Sequence, residues 1–129
     1  MPQAYDPERY RAWQSFISKI RQSAYVRVIL GRLEPRGGSY VEKGVDTQIV
    51  VQMLLHAVRD NYDTAVLVSG DGDFACALEA VGELGKNVEN AYFASGRSLQ
   101  LQNVSDVFRE ITPAMIAQCV IAQDGTRTG

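Results

Sequence analysis

The segment Thr64-Ala65-Val66-Leu67-Val68-Ser69-Gly70-Asp71-Gly72-Asp73-Phe74 limits what this chain can fold into more than any other. Its apolar, β-branched opening reads as a short buried strand. The strand breaks off in Ser-Gly-Asp-Gly-Asp, and apolar residues then recur at helical spacing as Phe74, Ala77, Leu78, Val81 and Leu84. A strand that turns directly into a helix is the building unit of a parallel α/β sheet. It carries Asp71 and Asp73 to the carboxyl edge of that sheet, where ligands of open α/β sheets bind. Two charged carboxylates one glycine apart cannot be buried in an apolar core, so they call for water, a cation or raised pKa values.

The rest of the chain supplies the alternating elements such a sheet needs. Asp6-Pro7-Glu8 is a helix start, with Asp6 as N-cap and Pro7 in the first position. Tyr10, Trp13, Phe16, Ile17 and Ile20 follow at helical spacing, which favours core packing over a base-stacking platform. Tyr25 to Leu30 reads as a strand that Gly31-Arg32-Leu33 can extend, and Glu34 to Ser39, rich in Pro and Gly, as a loop. That loop region carries Arg32 and Arg36, either as a solvated turn or as a basic flap over a phosphate backbone. Lys43-Gly44-Val45-Asp46 leads into a long amphipathic helix through Ile49, Val50, Met53, Leu54, Ala57 and Val58. His56 lies on that helix with no visible partner. Gly85 suits the C′ position of the Phe74 helix. Val88 to Phe93 reads as a strand, Leu99 to Asn103 as a short helix, and Val104 to Ile111 as a last strand containing Asp106. Thr112-Pro113 starts a final helix. The expectation is one α/β domain over residues 1–122, a Rossmann-like three-layer sandwich with a mainly parallel sheet, and a disordered tail over 123–129.

Composition narrows the function classes. A chain of 129 residues with a formal net charge of −2 lacks the basic balance of a typical nucleic-acid-binding module. It can still hold a phosphodiester through cations at an acidic site and a few local Lys or Arg residues. No apolar run reaches membrane-spanning length and no signal-peptide pattern opens the chain, which points to a cytoplasmic protein with no membrane partner. Cys76 and Cys119 have no metal spacing and read as buried, reduced thiols.

Asp46 starts the helix that precedes the Thr64 strand, and Asp71 and Asp73 start the helix that follows it. In a βαβ arrangement these helix starts can share the carboxyl edge. Three hard-oxygen donors without a Cys or His cluster suit Mg²⁺ or Mn²⁺, and a metal there can activate a water toward a phosphate. Ser69 can hold a metal-bound water or a phosphate oxygen. The plainer alternatives are that Asp46 is a first-turn acid favoured by the helix dipole and that Asp73 is the N-cap of the Phe74 helix. Neither an EF-hand loop nor a Gly-rich phosphate loop is present.

Glu42-Lys43-Gly44-Val45-Asp46, the long helix, Tyr62 to Phe74 and Leu84-Gly85-Lys86 together resemble the NYN domain, in its LabA-like branch. NYN domains are PIN-like nucleases. The resemblance covers about Asp6 to Ile111. It implies a Rossmann-like α/β/α fold and a divalent-metal site that cuts RNA, single-stranded RNA first. Asp46, Asp71 and Asp73 match acidic positions of the family and Lys43 its basic residue. Ser69 matches the small hydroxyl residue after the strand. Asp106 falls near an Ala-Asp-x-Phe segment of the family and reads as structural. Lys43, Arg97 and Lys86 are candidate phosphate contacts, with solvated surface the plainer reading for all three and the favoured one for Lys86. The family's opening strand, with its first acid, has no counterpart here. A sheet lacking it would expose backbone donors and acceptors. The expectation is therefore a homodimer, a strand-supplying partner, or a natural chain that begins further upstream. The functions left standing are a metal-dependent ribonuclease and a catalytically impaired module that binds RNA or protein. A Mg²⁺-dependent phosphatase is weaker, because no Asp-x-Asp follows an N-terminal strand.

Overall fold

The computed structural model describes residues 6–120. It forms two compact units, Met1–Ile49 and Val50–Gly129. The tail expected over 123–129 lies outside the described residues.

In the first unit, α1 spans Pro7–Arg21 and begins as the sequence signals: the Asp6 carboxylate accepts the Arg9 backbone N–H at 3.1 Å. Its apolar stripe is not a core, because no α1 residue is buried and Phe16 is 60% exposed. Tyr10 and Trp13 stack on each other instead, with ring centroids 5.9 Å apart.

The strand expected at Tyr25 to Leu30 is absent, and the expected loop after it is a hairpin. Strands β1 (Arg32–Arg36) and β2 (Ser39–Lys43) pair antiparallel, with Arg36 opposite Ser39. The register leaves only Gly37 and Gly38 as the loop, at φ 52° and 83°. Two consecutive positive-φ residues make the turn whose twist matches that of the strands. Pro35 is tolerated because a two-stranded ribbon consists of edges. Arg32 pairs with Glu34 at 3.1 Å on the hairpin surface, so it is not a free basic flap.

Helix α2 spans Val45–Val58, with Asp46 in its first turn. Near its end His56 has two partners: Asn61 Nδ2 lies 2.9 Å from Nδ1, and Nε2 lies 3.2 Å from Gln52 Oε1. Tyr62 donates its hydroxyl to the Met53 carbonyl at 2.6 Å. Burial raises the Tyr62 pKa.

The second unit carries the parallel sheet predicted from the Thr64 strand. Strands β3 (Thr64–Val68), β4 (Asn87–Tyr92) and β5 (Val107–Glu110) pair in parallel in that order. Between them run α3 (Ala75–Glu83) and α4 (Leu99–Val104). Alternation along β3 buries Ala65 and Leu67 and exposes Val66 and Val68. Phe74, Ala77, Leu78 and Val81 are buried as the helical period requires, and Leu101 of α4 is fully buried. Each large apolar side chain among them contributes about 1.5–3 kcal/mol of burial. Gly85 closes α3 at φ 86°. Thr112 caps α5 (Pro113–Gln118) by accepting the Met115 N–H at 3.2 Å. Both cysteines are exposed, against expectation. Cys76 is out of phase with the Phe74, Ala77, Leu78 and Val81 stripe, so the helix turns it outward.

Candidate functional site

The site is built at the carboxyl ends of β3 and β4. Ser69 extends the ladder, its N–H donating to the Ala91 carbonyl at 3.2 Å. The Ser69 hydroxyl then accepts the Asp71 N–H at 3.0 Å. Asp71 in turn accepts the Asp73 N–H on Oδ1 at 2.9 Å, as N-cap of a 3₁₀ turn over Gly72–Phe74. The cap is thus Asp71, and not Asp73 as one sequence reading had it. Asp73 is the middle residue of that turn, and its carboxylate has no partner among the described residues.

Gly70 is dictated by a close approach. A Cβ there would overlap the Gly96 carbonyl and lie 2.9 Å from the Gly96 Cα, so two backbones touch where no side chain fits. This contact brings the loop before α4 against the acidic turn. A cavity of about 750 Å³ opens between them, lined by Gly70, Gly72 and Asp73 from one side and by Arg97, Gln100 and Asn103 among others from the opposite side. Ser98, buried, organises that second wall. Its hydroxyl accepts the Leu101 N–H at 3.3 Å and donates to Gln100 Oε1 at 3.1 Å. Arg97 donates to Gln102 Oε1 at 2.9 Å and lies over the Phe108 ring, 5.8 Å from its centroid.

Beneath the turn lies a residue that the sequence reading passed over. Asn90 of β4 is fully buried, and its Nδ2 donates to the Leu67 and Ser69 carbonyls at 3.0 Å each. It ties the end of β3 to β4 where the ladder gives way to the turn. Its Oδ1 is buried without a partner. The signal was present in the sequence: an amide stands at the inward position two residues after Val88.

The structure therefore brings Ser69, Asp71, Asp73 and Arg97 to one edge of the second unit, while Lys43 and Asp46 belong to the first unit. Lys86 lies at the opposite edge, just before β4, and pairs with Asp60. That hydrogen bond and the Lys86 charge hold the Asp60 carboxyl below its ordinary value. Asp106 is structural as expected. It precedes β5, accepts the Val88 N–H on Oδ2 at 2.8 Å and donates its own N–H to the Val88 carbonyl at 2.8 Å.

A model of the NYN domain matches residues 3–112, most of the chain. The chain belongs to the NYN domain family. NYN is a nuclease-type domain, and nucleases of this type generally use divalent metals. A crystal structure of a protein of unknown function from Vibrio parahaemolyticus has the same fold at TM-score 0.65 and 24% identity. The match covers 79% of this NYN chain and 62% of that one, so this chain spans less than two thirds of that protein's length. No curated protein matches. No helix among the described residues is long and apolar enough to cross a membrane.

The donors on the turn are hard oxygens: the Asp73 carboxylate and the second oxygen of Asp71. Hard-oxygen donors of this kind suit a divalent cation whose shell is completed by water and substrate phosphate. Among the described residues, no three His, Cys, Asp or Glu side chains form a metal-holding group.

Proposed function

We propose that this NYN domain is a metal-dependent ribonuclease that hydrolyses phosphodiester bonds of single-stranded RNA at the carboxyl edge of its parallel sheet. The observation that carries the reading is the free Asp73 carboxylate on the wall of the cavity it shares with Arg97. A divalent cation bound there would lower the pKa of a water and offset charge on the phosphate. Asp71 and Asp73 would hold it, and Asp46 enters the reading as a third donor. Ser69 and Asp71 hold the turn rigid through the Asp71 and Asp73 N–H groups. Arg97 keeps N–H groups for a phosphate beyond the one given to Gln102, and Lys43 is a second phosphate contact in this reading.

Manganese-dependent cleavage of single-stranded RNA tests it. Wild-type protein should cleave, Asp71→Asn/Asp73→Asn should not, and Asp46→Asn should be slowed. Equal degradation by wild type and the double variant sinks the nuclease reading. The alternative is a regulatory module that binds RNA or protein without cutting it. The structural use of Asp71 as a cap favours that alternative. RNA binding with no metal-dependent cleavage would establish it.

A homodimer, or a partner that supplies a strand, belongs to the same proposal. Strand β3 ends the parallel sheet, and its Val66 and Val68 are 59% and 57% exposed. Light scattering at micromolar concentration should give twice the monomer mass, and a sharp monomer mass removes the dimer.

A further inference from the structure

We propose that the cavity beside the acidic turn is a base-reading subsite, which takes one unpaired adenine of an RNA strand. The inference rests on the RNA reading above and adds which base the site selects.

Three observations carry it. The first is a cation beside a stacked aromatic pair. Tyr92 and Phe108 stack with centroids 4.1 Å apart and planes 16° from parallel. The Arg97 guanidinium lies over Phe108 and is held by Gln102. Arg97 also lines the cavity, so a base held there can stack on its guanidinium. Unpaired RNA bases are bound in this way on aromatic faces and Arg planes.

The second is a set of solvent-exposed amide groups on the same wall with hydrogen-bonding capacity left over. Ser98 takes the Leu101 N–H and spends its own proton on Gln100 Oε1. This fixes the orientation of the Gln100 amide and leaves its Nε2 as a donor without a partner among the described residues. The Asn103 amide has neither donor nor acceptor engaged among the described residues. An Asn or Gln amide matches the N6 donor and N7 acceptor of adenine with one donor and one acceptor. Asn103 offers both, and Gln100 adds a donor toward a ring nitrogen.

The third is size. A cavity of about 750 Å³ falls in the range of small-ligand sites and exceeds what a metal with its waters needs.

The test uses the full chain in EDTA, where no cleavage occurs. Affinities are measured by fluorescence anisotropy for short labelled homopolymers of adenylate, cytidylate and uridylate. Wild type should prefer oligoadenylate by about 5- to 150-fold. Gln100→Ala/Asn103→Ala should level the three affinities, and Arg97→Ala should weaken all three. Replacing adenine by 7-deazaadenine should weaken wild-type binding and leave the amide double variant unchanged, which a general loss of folding would not produce. Tight but equal binding of all three homopolymers by wild type overturns the base-reading site and leaves the ribonuclease proposal standing. A preference for another base, or a preference that survives in the double variant, also overturns it. No binding to any RNA in EDTA overturns the base-reading site, and the manganese-dependent cleavage assay then decides the ribonuclease proposal by itself.

Discussion

The two ends of the parallel sheet in the second unit border cavities of similar size. The carboxyl end borders a cavity of about 750 Å³ with Asp73 and Arg97 on its wall. The amino end borders one of about 660 Å³ with Lys86 and Asp106, and with Glu79 and Glu83 of α3 on its wall without partners among the described residues. The two ends differ in what the groups beside the strand ends are already bonded to. Asp106 exchanges hydrogen bonds with the Val88 backbone, and Lys86 is spent on Asp60. At the carboxyl end Asp73, Gln100 Nε2 and Asn103 have nothing to bond among the described residues. Bonded polar groups hold strands in register, whereas unbonded ones at a cavity wall are free for a ligand.

The largest expected effect comes from Asn90→Asp. This near-isosteric change replaces a donor by a carboxylate facing the Leu67 and Ser69 carbonyls in a fully buried position. It should cost at least about 3 kcal/mol at neutral pH. Burial would raise the new carboxyl's pKa, so the loss should shrink as pH falls and the protonated acid can donate. Urea unfolding at neutral and acid pH would read both. A variant as stable as wild type would show that Asn90 does not hold the turn.

Gly70→Ala comes next. Its Cβ would meet the Gly96 backbone, which has no side chain to move aside. Overpacking of this kind costs about 1–3 kcal/mol. It should also displace the Arg97 wall, so RNA affinity should fall together with the melting temperature.

Asp106→Ala strands the Val88 N–H at the amino edge and should cost about 1–3 kcal/mol. Asp106→Asn keeps an acceptor and should cost less. A thermal melt of each would settle the order.

A smaller effect belongs to Asp60, which the Lys86 hydrogen bond and charge hold below its ordinary value of 3.8. A carboxylate with a depressed folded pKa contributes stability above its unfolded value, and loses it as pH falls through the folded value. The contribution is small because Asp60 is exposed and water screens it. Asp60→Asn should therefore slightly flatten the acid limb of the stability curve, from about pH 5 downward. An unchanged acid limb would mean that the Lys86 pair contributes nothing.

Asp73→Asn should have the least effect on stability, within about 0.5 kcal/mol, while abolishing cleavage in the proposed reaction. A large loss of stability would erase the contrast between the two ends, because Asp73 would then be scaffold as Asp106 is.

Much of this was legible in the residues. The Thr64 strand, its turn and the helix through Val81 follow from local period and punctuation. So do the Asp6 and Thr112 caps and the Gly85 stop. The hairpin at Gly37-Gly38 was missed because a run of Pro and Gly reads as loop, although a two-glycine turn is also a hairpin signature. Cys76 was assigned to the interior by residue type, where one step of helical phase turned it outward.

What the sequence determined by itself is the chemistry on offer at the turn: two acids at the end of a parallel strand, in a chain of the NYN family. Periodicity and turn residues act within a few positions, so they survive in a linear reading. Which groups remain free to use that chemistry was decided only by tertiary structure. The approach of Gly96 to Gly70, the bonds of Asn90 to β3 and the pairing of Lys86 with Asp60 join residues some 21 to 26 positions apart. Such bonds depend on which backbones meet, and no local spacing encodes that.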